Sequence, residues 1–323
     1  MRSPIAGQNI LVTGGAGFIG SHLVDELLSR GAEQLIIVDN LFCGSLENLS
    51  HLKEDPRVTL YRDDASECGL LGTLIQRHQI STTFNCATKA LNYSFINPFG
   101  AFETNTKVLG NLLEFLRQGA FKSLCHFSTS EVFGTAQSEF MDEKHPIKPT
   151  TTYASGKAAA DLLLKSYVQM FAVDAFIVRP FNGFGPRQNW EDPLAAVIPR
   201  TARLILEGRK PEIHGTGEQE RDFTYVRDTV RDVCDLFRVM NRGEEVNISS
   251  ESRVSIRAIV QAVASALDYH GEFSELPARG ADVLSHCGSS AFLKTKIPYV
   301  RRPFPEALAE TVDWYRQKRA LSR

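Results

Sequence analysis

The chain has 323 residues, a formal net charge of −2, 43% hydrophobic residues and 23% charged ones. That length allows about two domains and a large buried core. The charge balance excludes a basic field that would hold nucleic acid or an anionic membrane surface, and no apolar run is long enough to cross a bilayer. The six cysteines at 43, 68, 86, 125, 234 and 287 form neither a C-x-x-C pair nor a metal-ligand spacing. They fit buried thiols in a reduced, cytoplasmic setting with no metal site. The N-terminus has no basic segment leading into a long apolar run, so no signal peptide is expected.

Short apolar runs appear at 9–13, 34–39, 57–61, 82–86, 122–127 and 174–179, with helical patterns between them at 18–30, 67–78, 98–118 and 151–171. Runs that are apolar throughout read as strands buried on both faces. Strands alternating with helices predict an α/β fold with a doubly wound parallel sheet. After Arg179 the texture changes. PFNGFGPRQNWEDP (180–193) reads as a loop. Helices are expected at 194–208, 226–240, 255–267 and 305–318, with extended pieces around IHG, RDFTYV and NIS. We therefore expect a first domain over 1–179, with strands and helices returning to it from 224–250, and a smaller substrate-binding region over 180–323.

TGGAGFIGSHL (13–23) joins the first strand to the first helix. Gly14, Gly17 and Gly20 suit a tight turn, a close approach to a pyrophosphate and close helix–strand packing. IIVD then ends in Asp39, a carboxylate placed to bind the ribose hydroxyls of NAD and to repel the extra phosphate of NADP. This context makes the sheet a Rossmann-type one. TTYASGKAAADLL (151–163) puts Tyr153 and Lys157 on one helix face. An ammonium there, with a positive nicotinamide beside it, would lower the phenol's pKa. The phenolate could then take a proton from a sugar hydroxyl as hydride leaves.

TGGAGFIGSH, VDN, STSEVFG, YASGK, RPFNGFGPRQ, GTGEQERDFTYVRD and VDWYRQK together resemble the extended short-chain dehydrogenase/reductase family, in its nucleotide-sugar epimerase/dehydratase branch. The resemblance runs over nearly the whole chain. It implies that NAD is held by the glycines with Phe18, Ile19, Asp39, Asn40, Asp64, Ala65, Ala87, Lys89 and Ser128, besides Tyr153 and Lys157. It implies a nucleotide-diphosphate sugar as substrate, with Asn182, Arg187, Arg221 and Arg279 near its diphosphate. It further implies oxidation at C4 by Thr129, Tyr153 and Lys157, a structural role for Asn105, and a homodimer through the helices at 98–118 and 151–171. His126 and His214 read as structural rather than catalytic, and the resemblance of IHGTGEQERDF to a nucleotide-contacting segment implies that His214 lies near the nucleotide. Phe133 stands where a Tyr is usual, and Gly156 stands where a Ser precedes the lysine, which is expected to loosen the helix start.

HFSTSEVFG (126–134) bears on the reaction. An acid at Glu131 is expected of a dehydratase or decarboxylase, because a C4 ketone acidifies the C5 proton and a carboxylate can remove it. The resemblance to dTDP-glucose dehydratases would put an Asp, the general acid, where Ser130 stands. Ser130 is therefore kept as a catalytic candidate, and the reaction stays open. A 4,6-dehydratase is favoured over a UDP-glucuronate decarboxylase or a 4-epimerase. An NAD-binding sensor is the non-enzyme alternative, and it would not need Tyr153, Lys157 and Thr129 together.

Overall fold

The computed structural model describes residues 1–278 and 283–321. In its first half β1 (Asn9–Thr13), β2 (Gln34–Val38), β3 (Val58–Tyr61), β4 (Thr82–Asn85), β5 (Ser123–Phe127) and β6 (Ala175–Pro180) alternate with helices. These are α1 (Phe18–Ser29), α2 (Cys68–Arg77), α3 (Pro98–Arg117) and α4 (Thr152–Phe171). All ten fall where the apolar runs and helical patterns predict them. The long helices are capped by their own sequence: Asn97 accepts from the Gly100 amide before α3, and Thr151 accepts from the Ala154 amide before α4.

The second half holds β7 (Asn182–Phe184), α5 (Val197–Leu206), β8 (Glu212–His214), β9 (Glu220–Arg221), β10 (Phe223–Tyr225), α6 (Val226–Val239) and β11 (Glu245–Ile248). It closes with β12 (Val254–Ser255), α7 (Ile256–Ala266), β13 (Ser274–Leu276), α8 (Ala291–Lys296) and α9 (Phe304–Leu321). Instead of a plain loop, the Gly- and Pro-rich stretch carries β7, which pairs in parallel with β10.

The central sheet has seven parallel strands in the order β11-β6-β5-β4-β1-β2-β3. Its seventh strand comes from the second half of the chain. The order reverses at β1, which has β2 on one side and β4 on the other, so a crevice opens past the carboxyl ends of these strands. Both faces are covered. Leu23, Val24 and Leu27 of α1 pack on one side with Val233 and Phe237 of α6, and Leu109, Leu112 and Leu113 of α3 pack on the other with Leu164 of α4. Each of these leucines is fully buried, so truncating one to Ala would cost about 2–5 kcal/mol. A third cluster builds the C-terminal region, where the Trp190 ring stacks on Tyr315.

Gly156 does more than loosen α4. A Cβ there would lie 2.7 Å from the Phe102 carbonyl oxygen and 2.9 Å from the Phe102 Cα. The glycine lets α4 approach α3 at backbone distance. Phe133 is fully buried beneath the Arg179 guanidinium, which lies 4.7 Å from the ring centroid.

Candidate active site

A cavity of about 510 Å³ opens past the carboxyl ends of β1, β4, β5 and β6 and runs toward the second half of the chain. Its floor is the glycine turn. Gly14 has φ +72°, and a Cβ on it would sit 2.8 Å from Ala87 backbone atoms. A Cβ on Gly20 would lie only 2.1 Å from the Gly14 carbonyl oxygen. Gly17 precedes α1 without any side-chain cap, so the first-turn amides point toward the cavity floor with no intrahelical partner. The Asp39 carboxylate accepts from the Ala16 amide at 2.9 Å and the Leu41 amide at 2.8 Å. It thereby ties the end of β2 to the glycine turn, and it lines the cavity.

Phe18, Ile19, Asn40, Asp64, Ala65, Ala87, Lys89 and Ser128 also line this cavity. Asn40 donates to Asp64 at 2.8 Å. The Lys89 ammonium lies 3.5 Å from the Phe42 ring centroid, a cation–π contact at the cavity wall. Ser128 donates to Asp161 at 2.7 Å rather than into the cavity.

Three of the expected catalytic residues share one cavity. Tyr153, Thr129 and Glu131 line the cavity. The phenol bonds with the Thr129 and Thr88 hydroxyls and feels the Glu131 charge. Burial pushes the phenol up to about 12, and Glu131 adds to that, while the two hydroxyls oppose it. This is opposite to the lowering expected from Lys157. That ammonium instead donates to the Phe127 carbonyl at 2.7 Å and is fully buried. Burial brings Lys157 down to about 8, with Asp161 one turn further along α4 pulling it back up. Among this chain's own groups, desolvation of the phenol is the largest cause.

Ser130 lies elsewhere. It is 1% exposed and directed at His286, with Oγ 3.5 Å from Nδ1, so its hydroxyl does not reach the cavity as a catalytic acid would. Of the expected diphosphate contacts, Asn182 and Arg221 line the cavity. The Asn182 side-chain amide nitrogen is buried there without a hydrogen-bond partner. Arg187 lines a neighbouring cavity of about 460 Å³ and pairs with Asp25 at 2.7 Å. Arg279 lies outside the described residues. His214 lines the main cavity, whereas His126 is fully buried beneath it and contacts Asn85 at 3.1 Å. Among the described residues no cluster of His, Cys, Asp or Glu is placed to hold a metal ion, and no helix is long and apolar enough to cross a membrane.

Two features escaped the sequence reading. One is the buried network of Asp161, Arg179 and Glu245, with contacts of 2.9 and 2.7 Å. Its signal was present, since Asp161 follows Lys157 by one turn. The other is His286, which no motif near residue 131 announces.

Residues 11–299 match the family model described as GDP-mannose 4,6 dehydratase. A dTDP-glucose 4,6-dehydratase of an Actinoplanes strain is 31% identical over 97% of this chain and 99% of its own. Among solved structures, DesIV, a dTDP-glucose 4,6-dehydratase from Streptomyces venezuelae crystallised with NAD, superposes with a TM-score of 0.92. It is 27% identical over 97% of this chain and 98% of its own. A UDP-glucose 4-epimerase from Thermotoga maritima, crystallised with UDP-glucose, superposes with a TM-score of 0.89. It too is 27% identical, over 96% of this chain and 99% of its own.

Proposed function

This chain belongs to the GDP-mannose 4,6-dehydratase family of extended short-chain dehydrogenase/reductases, and from that premise we propose that it is an NAD-dependent 4,6-dehydratase of a nucleotide-diphosphate hexose. The observation that carries the reading is the Glu131 carboxylate beside Tyr153 and Thr129 in one cavity. A 4-epimerase has no use for a base at C5.

The glycine turn, the α1 amides and Asp39 fit a dinucleotide, because side chains at Gly14 and Gly20 would fill the cradle. Bound there, NAD would supply the hydride acceptor for C4 and the hydride for C6. Asp39 has no room for an added 2′-phosphate without placing two anions together, which favours NAD over NADP. Tyr153, bonded to Thr129, takes the 4-hydroxyl proton. Burial, with Glu131 adding to it, holds the phenol high, and a positive nicotinamide bound beside it would supply the lowering. Lys157 fixes the floor through the Phe127 carbonyl. Glu131 then removes the C5 proton, the C–H pair moves toward the C4 ketone, and the 6-hydroxyl departs with that proton as water. A second proton, made available by the 4-hydroxyl, returns to C5. Asn182 and Arg221 are the groups we assign to the diphosphate, with Arg279 a candidate and Arg187 the least supported, given its pairing with Asp25.

Phe99, Leu162, Met170 and Phe171 of α3 and α4 are large, apolar and exposed. They support a homodimer through these helices, in a cytoplasmic setting that suits six free thiols.

The test is mass spectrometry of the protein with NAD and a panel of UDP-, GDP-, dTDP- and CDP-hexoses and UDP-glucuronate. Loss of one water from a hexose substrate is expected. Loss of CO₂ from UDP-glucuronate, or conversion at constant mass, would overturn the dehydratase.

A further inference from the structure

The strand-end segment sends its polar groups in different directions. Glu131 enters the cavity and Ser130 turns away from it, and both meet His286. His286 stands just ahead of α8 and is fully buried. Its Nε2 lies 2.6 Å from the Gly134 carbonyl oxygen. A carbonyl only accepts, so the hydrogen sits on Nε2. Burial holds the ring's pKa down to about 4, and the Arg221 guanidinium and His145 push the same way. A neutral imidazole with its hydrogen on Nε2 presents a bare lone pair at Nδ1. That lone pair faces Glu131 Oε1 at 3.7 Å and Ser130 Oγ at 3.5 Å.

The two states of Glu131 differ at this contact. An ionised carboxylate sets its own lone pairs against Nδ1, and the Ser130 hydroxyl can then satisfy the ring. A protonated carboxyl donates to Nδ1. Near the pair stand the Thr129 hydroxyl, Tyr153 across the cavity, Arg221 on β9, His145 and the apolar Phe181 ring.

We propose that His286 is a positioning residue for Glu131: its Nδ1 accepts a hydrogen bond from the carboxyl once that group has taken the C5 proton, and holds the loaded acid until the proton leaves with the 6-hydroxyl. The inference rests on Glu131 being the C5 base. The proton moves from carbon to Glu131 oxygen and on to the departing hydroxyl, so His286 ends each turnover as it began, without gaining or losing a proton. It explains why Ser130 suffices where an acid was expected. The hydroxyl is a partner of the histidine and not a proton donor to the sugar.

Two variants separate this role from simple packing. In His286→Gln the amide nitrogen can still reach the Gly134 carbonyl, but nothing accepts at the Nδ1 position. In His286→Asn the amide oxygen sits near the Nδ1 position, while the reach to Gly134 is lost. Each is mixed with NAD and the substrate found by the panel above, in D₂O. Three signals are followed: reduced nicotinamide absorbance, water loss and deuterium entry at C5. For His286→Gln we expect nicotinamide reduction at the wild-type rate, kcat down about 10- to 100-fold at unchanged KM, and accumulation of the reduced cofactor. The acid limb of its kcat profile moves to lower pH, because Glu131 has lost the contact that favours its proton. His286→Asn is expected to stay within about 5-fold of wild type. Unchanged kcat and C5 exchange in His286→Gln would overturn the proposal, as would equal losses in both variants. Failure of the wild type itself to lose water or exchange C5 would overturn the dehydratase reading and this inference with it.

Discussion

His22 offers a prediction whose size follows from the structure. It lies on α1 just after the glycine turn, is 3% exposed, and donates from Nε2 to the Pro186 carbonyl at 3.0 Å. Burial lowers its pKa from 6.5 to about 4, Arg187 adds to this, and the Pro186 bond and Asp25 oppose it. The folded value lies below the unfolded one. Between these values the unfolded chain binds a proton that the native protein refuses, so stability present above pH 6.5 is lost as pH falls toward 4. For one group shifted this far the loss at pH 5 is about 2 kcal/mol. A glutamine amide can keep the bond to Pro186 and does not titrate, so His22→Gln escapes this loss. At about 2 cal/mol/K of unfolding entropy per residue, 2 kcal/mol corresponds to about 3 °C for a chain this long. Calorimetry of both proteins at pH 7 and pH 5 measures it. Buried carboxyls with raised values, such as Asp161 and Asp222, act in both proteins and cancel. The difference in Tm is expected to move about 3 °C in the variant's favour on acidification. A difference that stays constant would refute the reasoning.

Tyr153→Phe keeps the ring but removes the phenol that bonds to Thr129. Turnover is expected to fall at least about 10³-fold, with NAD binding retained by calorimetry, and near-normal activity would exclude the assigned role. Gly20→Ala forces a Cβ toward the Gly14 carbonyl oxygen, backbone that cannot yield cheaply. NAD affinity should drop more than about 10-fold, and unaltered affinity would show that the glycine turn does not cradle the cofactor. Arg179→Met removes a fully buried cation and leaves Asp161 without it. A destabilisation of about 3–5 kcal/mol is expected in urea, and a loss below about 1 kcal/mol would mean Asp161 is neutral in the fold.

The first half of the sheet was legible because largely apolar runs alternate with helical patterns in strict order. Ile10 to Val12 and Leu35 to Val38 are buried on both faces, so no alternation hides them. β11 was harder. The expected extended piece NIS (247–249) holds one apolar residue between Asn and Ser, and pairing with β6 makes Glu245–Ile248 a strand. The two- and three-residue strands of the second half are set by their partners, not by local pattern. In the site, the glycine turn, Asp39 and the Tyr153–Lys157 pair could be read because local geometry fixes their spacing. The direction of the phenol's shift could not, since burial of Tyr153 is a tertiary fact. His286 was invisible for the same reason: a single histidine outside any motif acquires meaning only when folding brings it to Glu131. Arg187 shows the converse. Its motif was plain, and the fold hands it to Asp25.

Glu131 as the C5 base is what separates a 4,6-dehydratase from a 4-epimerase. Glu131→Gln, mixed with NAD and the substrate that loses water in the wild type, should still reduce the nicotinamide. Its release of dehydrated product should fall about 10²- to 10⁴-fold, with deuterium entry at C5 abolished. Product formation at the wild-type rate would contradict the mechanism and make Glu131 a structural acid of the turn.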